Sequence, residues 1–310
     1  DGLTLLRRAL PRIVTRPLRA ARATASTLAT LVSRERSPSP RDSDGPPVTV
    51  HRTWLNAHTT PERSVAYGAL SLDAARDAAH DASATVNDVV LAAVGGALRR
   101  ELSRRGVLPG APLVAAVAVS TLAAGDDLAN AMSVMFVGLG TDIADAGERL
   151  RVVRDATRRA KHGEGRGHGH GAADLLRAWA EVPRPVEISL LARLVVRSGV
   201  MLRVPPLCNL VVSNVPGPPV ALHLGGARLV GIHPLGPIFD GVGLNVTVLS
   251  HDDRSLDFGI VALGSLIRDP WPLAEALRRS FDELVSSAGV RSSSVDPGPR
   301  QTADLPRHAP

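Results

Sequence analysis

LVVSNVPGPPVALHLGGARLVGIHPLGPIFDGVGLNVTVLS, residues 210–250, holds two apolar runs separated by a stretch rich in proline and glycine. It opens inside the apolar run Leu207 to Val212, short and rich in branched residues, which reads as a buried strand stopping at Ser213. Asn214-Val215-Pro216-Gly217-Pro218-Pro219 cannot continue a strand, because proline lacks the N–H that a central ladder needs and holds φ near a turn value. Val220–Leu224 and Arg228–Ile232 predict a hairpin across Gly225-Gly226, a pair suited to the positive φ of a tight turn. Pro234, Gly236 and Pro237 interrupt the next segment, Asp240-Gly241 turns it, and Val242–Ser250 begins another strand. Three polar groups, Ser213-Asn214, Asp240 and Asn245, thus stand at strand ends or inside a strand. Asn and Asp commonly cap turns with their own side chains, so each taken alone needs no ligand.

Taken together with Asn87-Asp88-Val89-Val90-Leu91-Ala92, Gly96-Ala97-Leu98-Arg99 and the ending Leu256-Asp257-Phe258-Gly259, the wording Ser213-Asn214-Val215-Pro216-Gly217-Pro218, Pro234 to Gly241 and Gly243 to Thr247 resembles the C-terminal half of the bacterial wax ester synthase/diacylglycerol acyltransferases. Several ordered motifs over residues 55–288 carry the resemblance. It implies an α/β fold, a mixed sheet with flanking helices forming one half of a chloramphenicol acetyltransferase-like fold, two such halves enclosing a substrate tunnel. It implies acyl-CoA as a substrate rather than a bound cofactor, with diacylglycerol or a long-chain alcohol as acceptor. In the family a histidine of a His-His-x-x-x-Asp-Gly motif deprotonates the acceptor hydroxyl, which attacks the thioester carbonyl, while donors around the tunnel hold the oxyanion. That motif occurs nowhere in residues 1–310. The resemblance therefore assigns no catalytic residue and no metal here, but offers Asn87, Asp88, Ser213, Asn214, Pro216, Gly217, Asp240, Gly241 and Asn245 as substrate-binding positions. It makes an N-terminal catalytic half, in the same or a separate chain, the expected partner. Leu122 and Ala129 stand where the family usually has arginine and glycine. A different class, a lipid- or CoA-binding module without chemistry, fits the same residues.

Composition bounds these readings. The 310 residues are 44% hydrophobic and only 3% aromatic, so the core is aliphatic and offers no stacking platform for bases. The formal charge of +6 comes almost wholly from arginine, Lys161 being the only lysine. Such charge suits CoA phosphates or anionic headgroups, whereas the arginines are dispersed and accompany no nucleic-acid-binding motif. A single cysteine, Cys208, excludes an intramolecular disulfide framework and fits a reducing cytosol.

From the start of the chain, Leu3, Leu6, Leu10, Ile13, Val14 and Leu18 recur between arginines at helical spacing, giving a basic amphipathic segment over 1–32. It could attach to a membrane surface or lipid droplet, or pack on another domain. Residues 33–53, rich in Ser, Pro and charge, read as a linker, 54–290 as the acyltransferase-like domain, and 291–310 as a disordered tail. Ser64–Leu72 reads as a strand and Leu72–Ala79 as a short helix. Thr85, with Asp88 three residues on, caps a helix whose Val86, Val90, Val94, Ala97, Leu98 and Leu102 form one face. Pro112–Ser120 and Val134–Leu139 read as strands, joined through the loop Thr121–Leu128. Ala144–Ala160 reads as an amphipathic helix with Arg149, Arg151, Arg154, Arg158 and Arg159 on or near its wet side. His162 to Gly171 offers two histidines at i, i+2 but no closed ligand set, and reads as a loop. Glu187–Val204 is a nearly all-apolar helix too short to span a membrane. Ser250-His251-Asp252 holds the letters of a hydrolase triad, yet adjacent residues at a strand end cannot converge on one point. Ser255–Ala262 is a further strand, and Trp271–Ala288 the closing helix.

Overall fold

The strand around Val211 sits at the centre of the sheet. A computed structural model describes residues 50–120, 132–162 and 205–287. The basic segment 1–32, the linker up to residue 49, the loop 121–128, the glycine–histidine run from residue 163, the apolar helix 187–204 and the tail 291–310 lie outside the described residues. In chain order the elements are β1 (Arg63–Ser71), α1 (Leu72–Asp81), α2 (Val86–Arg104), β2 (Val114–Ser120), β3 (Met132–Gly138), α3 (Ala146–His162), β4 (Leu210–Val215), β5 (His223–Leu224), β6 (Ala227–Arg228), β7 (Leu244–His251), β8 (Ser255–Leu263) and α4 (Trp271–Ser287). Six strands form one sheet in the order β1-β8-β7-β4-β2-β3. The central β2, β4 and β7 are parallel, and antiparallel pairings with β3, β8 and β1 complete the two sides.

Alternation along the strands divides the side chains between two faces. Ala115, Val117, Leu210, Val212, Leu244, Val246, Val248, Phe258 and Ile260 share one buried cluster with Ala75 of α1, Val90 and Val94 of α2, Leu150 of α3 and Leu277 of α4. All four helices therefore cover one face. The opposite face carries no helix among the described residues; the segment 229–243 lies over part of it instead.

The capping box at the start of α2 forms as expected. Asp88 Oδ2 accepts from Thr85 N at 2.8 Å, while Thr85 Oγ1 accepts from Asp88 N at 3.3 Å. Gly95 and Gly96, which together lower helix propensity by roughly 2 kcal/mol relative to alanine, stand there because of close neighbours. A Cβ on Gly95 would lie 2.0 Å from the carbonyl oxygen of Leu139, and one on Gly96 2.1 Å from Ser280 Oγ.

Three expectations are corrected. β4 does not stop at Ser213: its parallel pairing with β7 carries on to Val215 opposite Leu249, and Pro216 ends it. The hairpin turns at Gly225 (φ 58°) and Gly226 (φ 83°), but each arm is only two residues long. Arg149 is not on the wet side of α3 but 2% exposed. Its Nε donates to the carbonyl of Ala92 and its Nη1 to those of Ile143 and Ala144, so backbone acceptors replace the water that an arginine normally keeps.

Candidate functional site

Polar residues on the face opposite α1–α4 follow from strand register. Val211 pairs with Asn245 and Ser213 with Thr247 across β4 and β7, and residues paired in adjacent strands project to the same side. Ser213, Thr247 and Asn245 therefore share this face. Asn245 is 3% exposed, and both ends of its amide are used: Nδ2 donates to the Pro237 carbonyl at 2.9 Å, and Oδ1 accepts from Thr247 Oγ1 at 2.8 Å. The strap bearing Pro237 can lie this close because two residues lack a Cβ. One on Gly236 would come within 2.5 Å of Asn245 Oδ1, and one on Gly259 within 2.0 Å of the Pro234 carbonyl oxygen.

Further along the same face, buried Asp257 pins the other end of the strap. Its Oδ2 accepts from the Ile232 amide at 2.6 Å and its Oδ1 from Ser255 Oγ at 2.9 Å. His251, also buried, places Nδ1 3.9 Å from Asp257 Oδ2, and its Nε2 has no partner among the described residues. Ser250 accepts at Oγ from Gly217 N at 2.9 Å, so Ser250, His251 and Asp252 form no relay. His233 stacks on Tyr67, with centroids 4.7 Å apart.

At the amino ends of β4 and β7 the chain builds a second polar group. Gly241 (φ 82°) completes the expected turn, closed by Val242 N donating to the Phe239 carbonyl at 2.8 Å. The turn buries Asp240, whose Oδ1 accepts from Thr59 N at 2.9 Å and lies 2.8 Å from His58 Nδ1. Asp240 Oδ2 is buried with no partner among the described residues. Asn56 Nδ2 donates to the carbonyls of Cys208 and Gly241, and Asn209 Nδ2 donates to Asn56 Oδ1 at 2.9 Å. These two asparagines bind the segment before β1 to the turn and to β4. Burial pushes the Cys208 thiol up to about 11, so it supplies no thiolate nucleophile at neutral pH.

The nine expected positions are thus not one cluster. Ser213, Asn214, Pro216 and Gly217 lie at the carboxyl end of β4, Asp240 and Gly241 at the amino end of the sheet, and Asn245 between them. Asn87 and Asp88 belong to the helical layer, where Asp88 Oδ1 accepts from Thr157 Oγ1 of α3 at 2.6 Å. Sequence reasoning missed His58, Asn56, Asn209 and Thr247. The last was legible, since a polar residue two positions after Asn245 on a strand faces the same way.

Residues 128–285 match the family model described as the WS/DGAT C-terminal domain. A Mycobacterium tuberculosis protein provisionally named a diacylglycerol O-acyltransferase is 32% identical over 280 residues, covering 89% of this chain and 54% of the relative. A second, from Mycobacterium bovis and named in the same way, is 35% identical over 248 residues, covering 78% and 52%. The solved wax ester synthase/diacylglycerol acyltransferase of Marinobacter aquaeolei VT8 superposes with a TM-score of 0.60 at 26% identity, over 88% of this chain and 57% of that one. The chain spans about half the length of these relatives. Its mixed sheet with flanking helices is one half of a chloramphenicol acetyltransferase-like fold.

Proposed function

We propose, because this chain belongs to the WS/DGAT C-terminal domain family, that it forms the C-terminal wall of an acyl-CoA-dependent O-acyltransferase whose acceptor is diacylglycerol or a long-chain alcohol. The observation that carries the proposal is the sheet face opposite the helices, with its Ser213, Thr247 and Asn245 row beneath the Gly236–Pro237 strap. A tunnel between two halves needs a face of this kind, apolar enough for acyl chains and set with a few fixed hydrogen-bonding groups. Partly buried Val134, Phe136 and Val211 supply apolar surface toward the β3 side. The half-buried Ser213 hydroxyl supplies a donor near a developing oxyanion, the Thr247–Asn245 pair fixes the strap beside it, and the general base comes from the His-His-x-x-x-Asp-Gly half. The test is complementation. Fused behind, or co-expressed with, an N-terminal half bearing that motif, this chain should support transfer of palmitate from palmitoyl-CoA to hexadecanol or diolein. Tight association of the halves without turnover would favour a non-catalytic binding module.

A wall built to face a partner leaves apolar groups in water. Leu224 is 86% exposed and Val230 92%, with Val220, Leu235 and Phe239 also exposed on the strap and hairpin. Clustered apolar surface of this sort promotes association. No helix among the described residues is long and apolar enough to cross a membrane. Residues 1–310 alone should therefore sediment as an oligomer or co-sediment with anionic liposomes. A monodisperse monomer that ignores liposomes would refute the exposed-wall reading.

A further inference from the structure

An open, arginine-lined cleft lies in the helical layer, across the sheet from the strap. It has a volume of about 450 Å³ between α2, α3 and α4, is open to solvent on one side, and is lined by Gly96, Arg99, Arg100, Ser103, Arg104, Ala144, Arg149 and Glu283. Four of these side chains are guanidinium groups and one is a carboxylate. Arg100 pairs with that carboxylate, Glu283, and Arg104 with Glu101, Nη2 to Oε1, at 2.8 Å. Arg99 and Arg149 have no carboxylate within ion-pair distance among the described residues. Arg99 donates through Nη1 to the carbonyls of Thr141 and Asp142, each at 3.0 Å, and Arg149 donates only to carbonyls. Among the described residues, these two positive charges bordering the cleft make their direct hydrogen bonds to backbone carbonyls, with Glu283 and Asp145 acting on Arg149 only from beyond ion-pair distance.

Burial of a full charge on those terms is costly. The Arg149 guanidinium is held below its ordinary pKa, by desolvation first; Glu283 opposes this, while Arg100 and Arg99 add to it. Close packing behind the cleft wall fixes the position of Arg149. Ser280, wholly buried, has an Oγ with no partner among the described residues. That hydroxyl and Arg149 Nη2 both press on Gly96, at 2.1 and 2.6 Å from where its Cβ would stand. Any residue larger than glycine would fill the cavity wall at this point and push the two donors apart.

We propose that this cavity binds a phosphorylated small anion, its phosphate held by Arg99 and Arg149 with Arg100 and Arg104 at the rim. With Nη1 of Arg99 given to two carbonyls, its Nε and Nη2 remain as a fork that matches a pair of phosphate oxygens, whereas Arg149 offers Nη2 alone; the volume exceeds what one inorganic phosphate occupies, leaving space for a second phosphate or a small organic body. Because the sheet separates it from the strap face, an occupant here acts apart from the acyl-transfer site.

The test is titration calorimetry of the 310-residue chain with inorganic pyrophosphate and with adenosine 3′,5′-bisphosphate at low ionic strength. Flotation with phosphatidylcholine vesicles, with and without phosphatidic acid, distinguishes a lipid headgroup from a soluble anion. Saturable binding of either source is expected, weakened by about tenfold in Arg99→Gln. Arg99 also ties the 141–142 turn, so Ser103→Glu provides a variant that breaks no hydrogen bond in the fold. It places a carboxylate at the rim and is expected to weaken binding at least as much. Arg76→Gln removes the same charge from the far surface pair with Asp253 and should leave binding unchanged. Absence of saturable binding to both soluble anions, with vesicle binding indifferent to Ser103→Glu, overturns the proposal; so does an equal loss in Arg76→Gln.

Discussion

Residues 1–310 on their own are expected to transfer no palmitate from palmitoyl-CoA to hexadecanol or diolein above a buffer blank. The reason lies in what the described histidines can do. A positioned general base contributes roughly 10²–10⁴-fold, and it must reach the acceptor hydroxyl from a site that also holds the thioester. His251 is buried beside Asp257, with its Nε2 enclosed and without a partner among the described residues, so no hydroxyl of a bulky acceptor reaches it. His233 is held against the Tyr67 ring. His58 comes nearest to a base. Its Nδ1 faces the buried Asp240 carboxylate at 2.8 Å and its side chain is 52% exposed, an orientation like that of a relay histidine. Yet Asp240 and His58 lie at the amino end of the sheet, away from Ser213 and Gly217. Clear turnover by the chain alone would sink this expectation. Alanine substitution of His58, His233 and His251 in turn would then identify the base, with His58 tested first.

Much of the architecture was legible because local rules agreed with the fold. Thr85 and Asp88 announced the start of α2, Asp240-Gly241 its turn, and the β7–β8 connection its tight reversal, at Asp252 and Asp253, both at φ 53°. Where the sequence misled, a tertiary partner had overridden a local preference. Pro216, not Ser213, ends β4, because a neighbouring strand offers acceptors and donors up to Val215. Arg149 was read as solvated from its charge and its place on an amphipathic helix. Carbonyls from α2 and from the 143–144 loop, invisible in the periodicity of α3, take it inside. The candidate site shows the same division. Asn245 and Asp240 stood out as polar groups in apolar surroundings, but nothing local told that Asp240 would be met by His58 and Thr59, 181 residues before it for the latter. Nor did any local pattern reveal that Asn87 and Asp88 would fall on the other side of the sheet.

Asn245→Ala is expected to lower the unfolding free energy by about 1–3 kcal/mol, the range for leaving buried hydrogen-bonding groups unpaired. The substitution removes the acceptor of the Thr247 hydroxyl and the donor to the Pro237 carbonyl together, and it frees the strap at the point where Gly236 lets it approach. Chemical denaturation should show a lower midpoint with an unchanged slope. A change below about 0.5 kcal/mol, the scale of an inconsequential surface substitution, would mean that the amide is not a structural tie. Function is read separately, in the chain fused behind a catalytic half and at a temperature where the variant remains folded. There Asn245→Ala should reduce kcat/KM, since the strap and the Ser213–Thr247 row no longer hold one geometry. Asp240→Asn is the companion measurement. It keeps the Oδ1 acceptor that meets Thr59 N while removing the anion beside His58, so a loss of activity in that variant would report charge rather than shape. Full activity in both fused variants would remove Asp240 and Asn245 from the acyl-transfer site and leave them to the turn and strap they hold together.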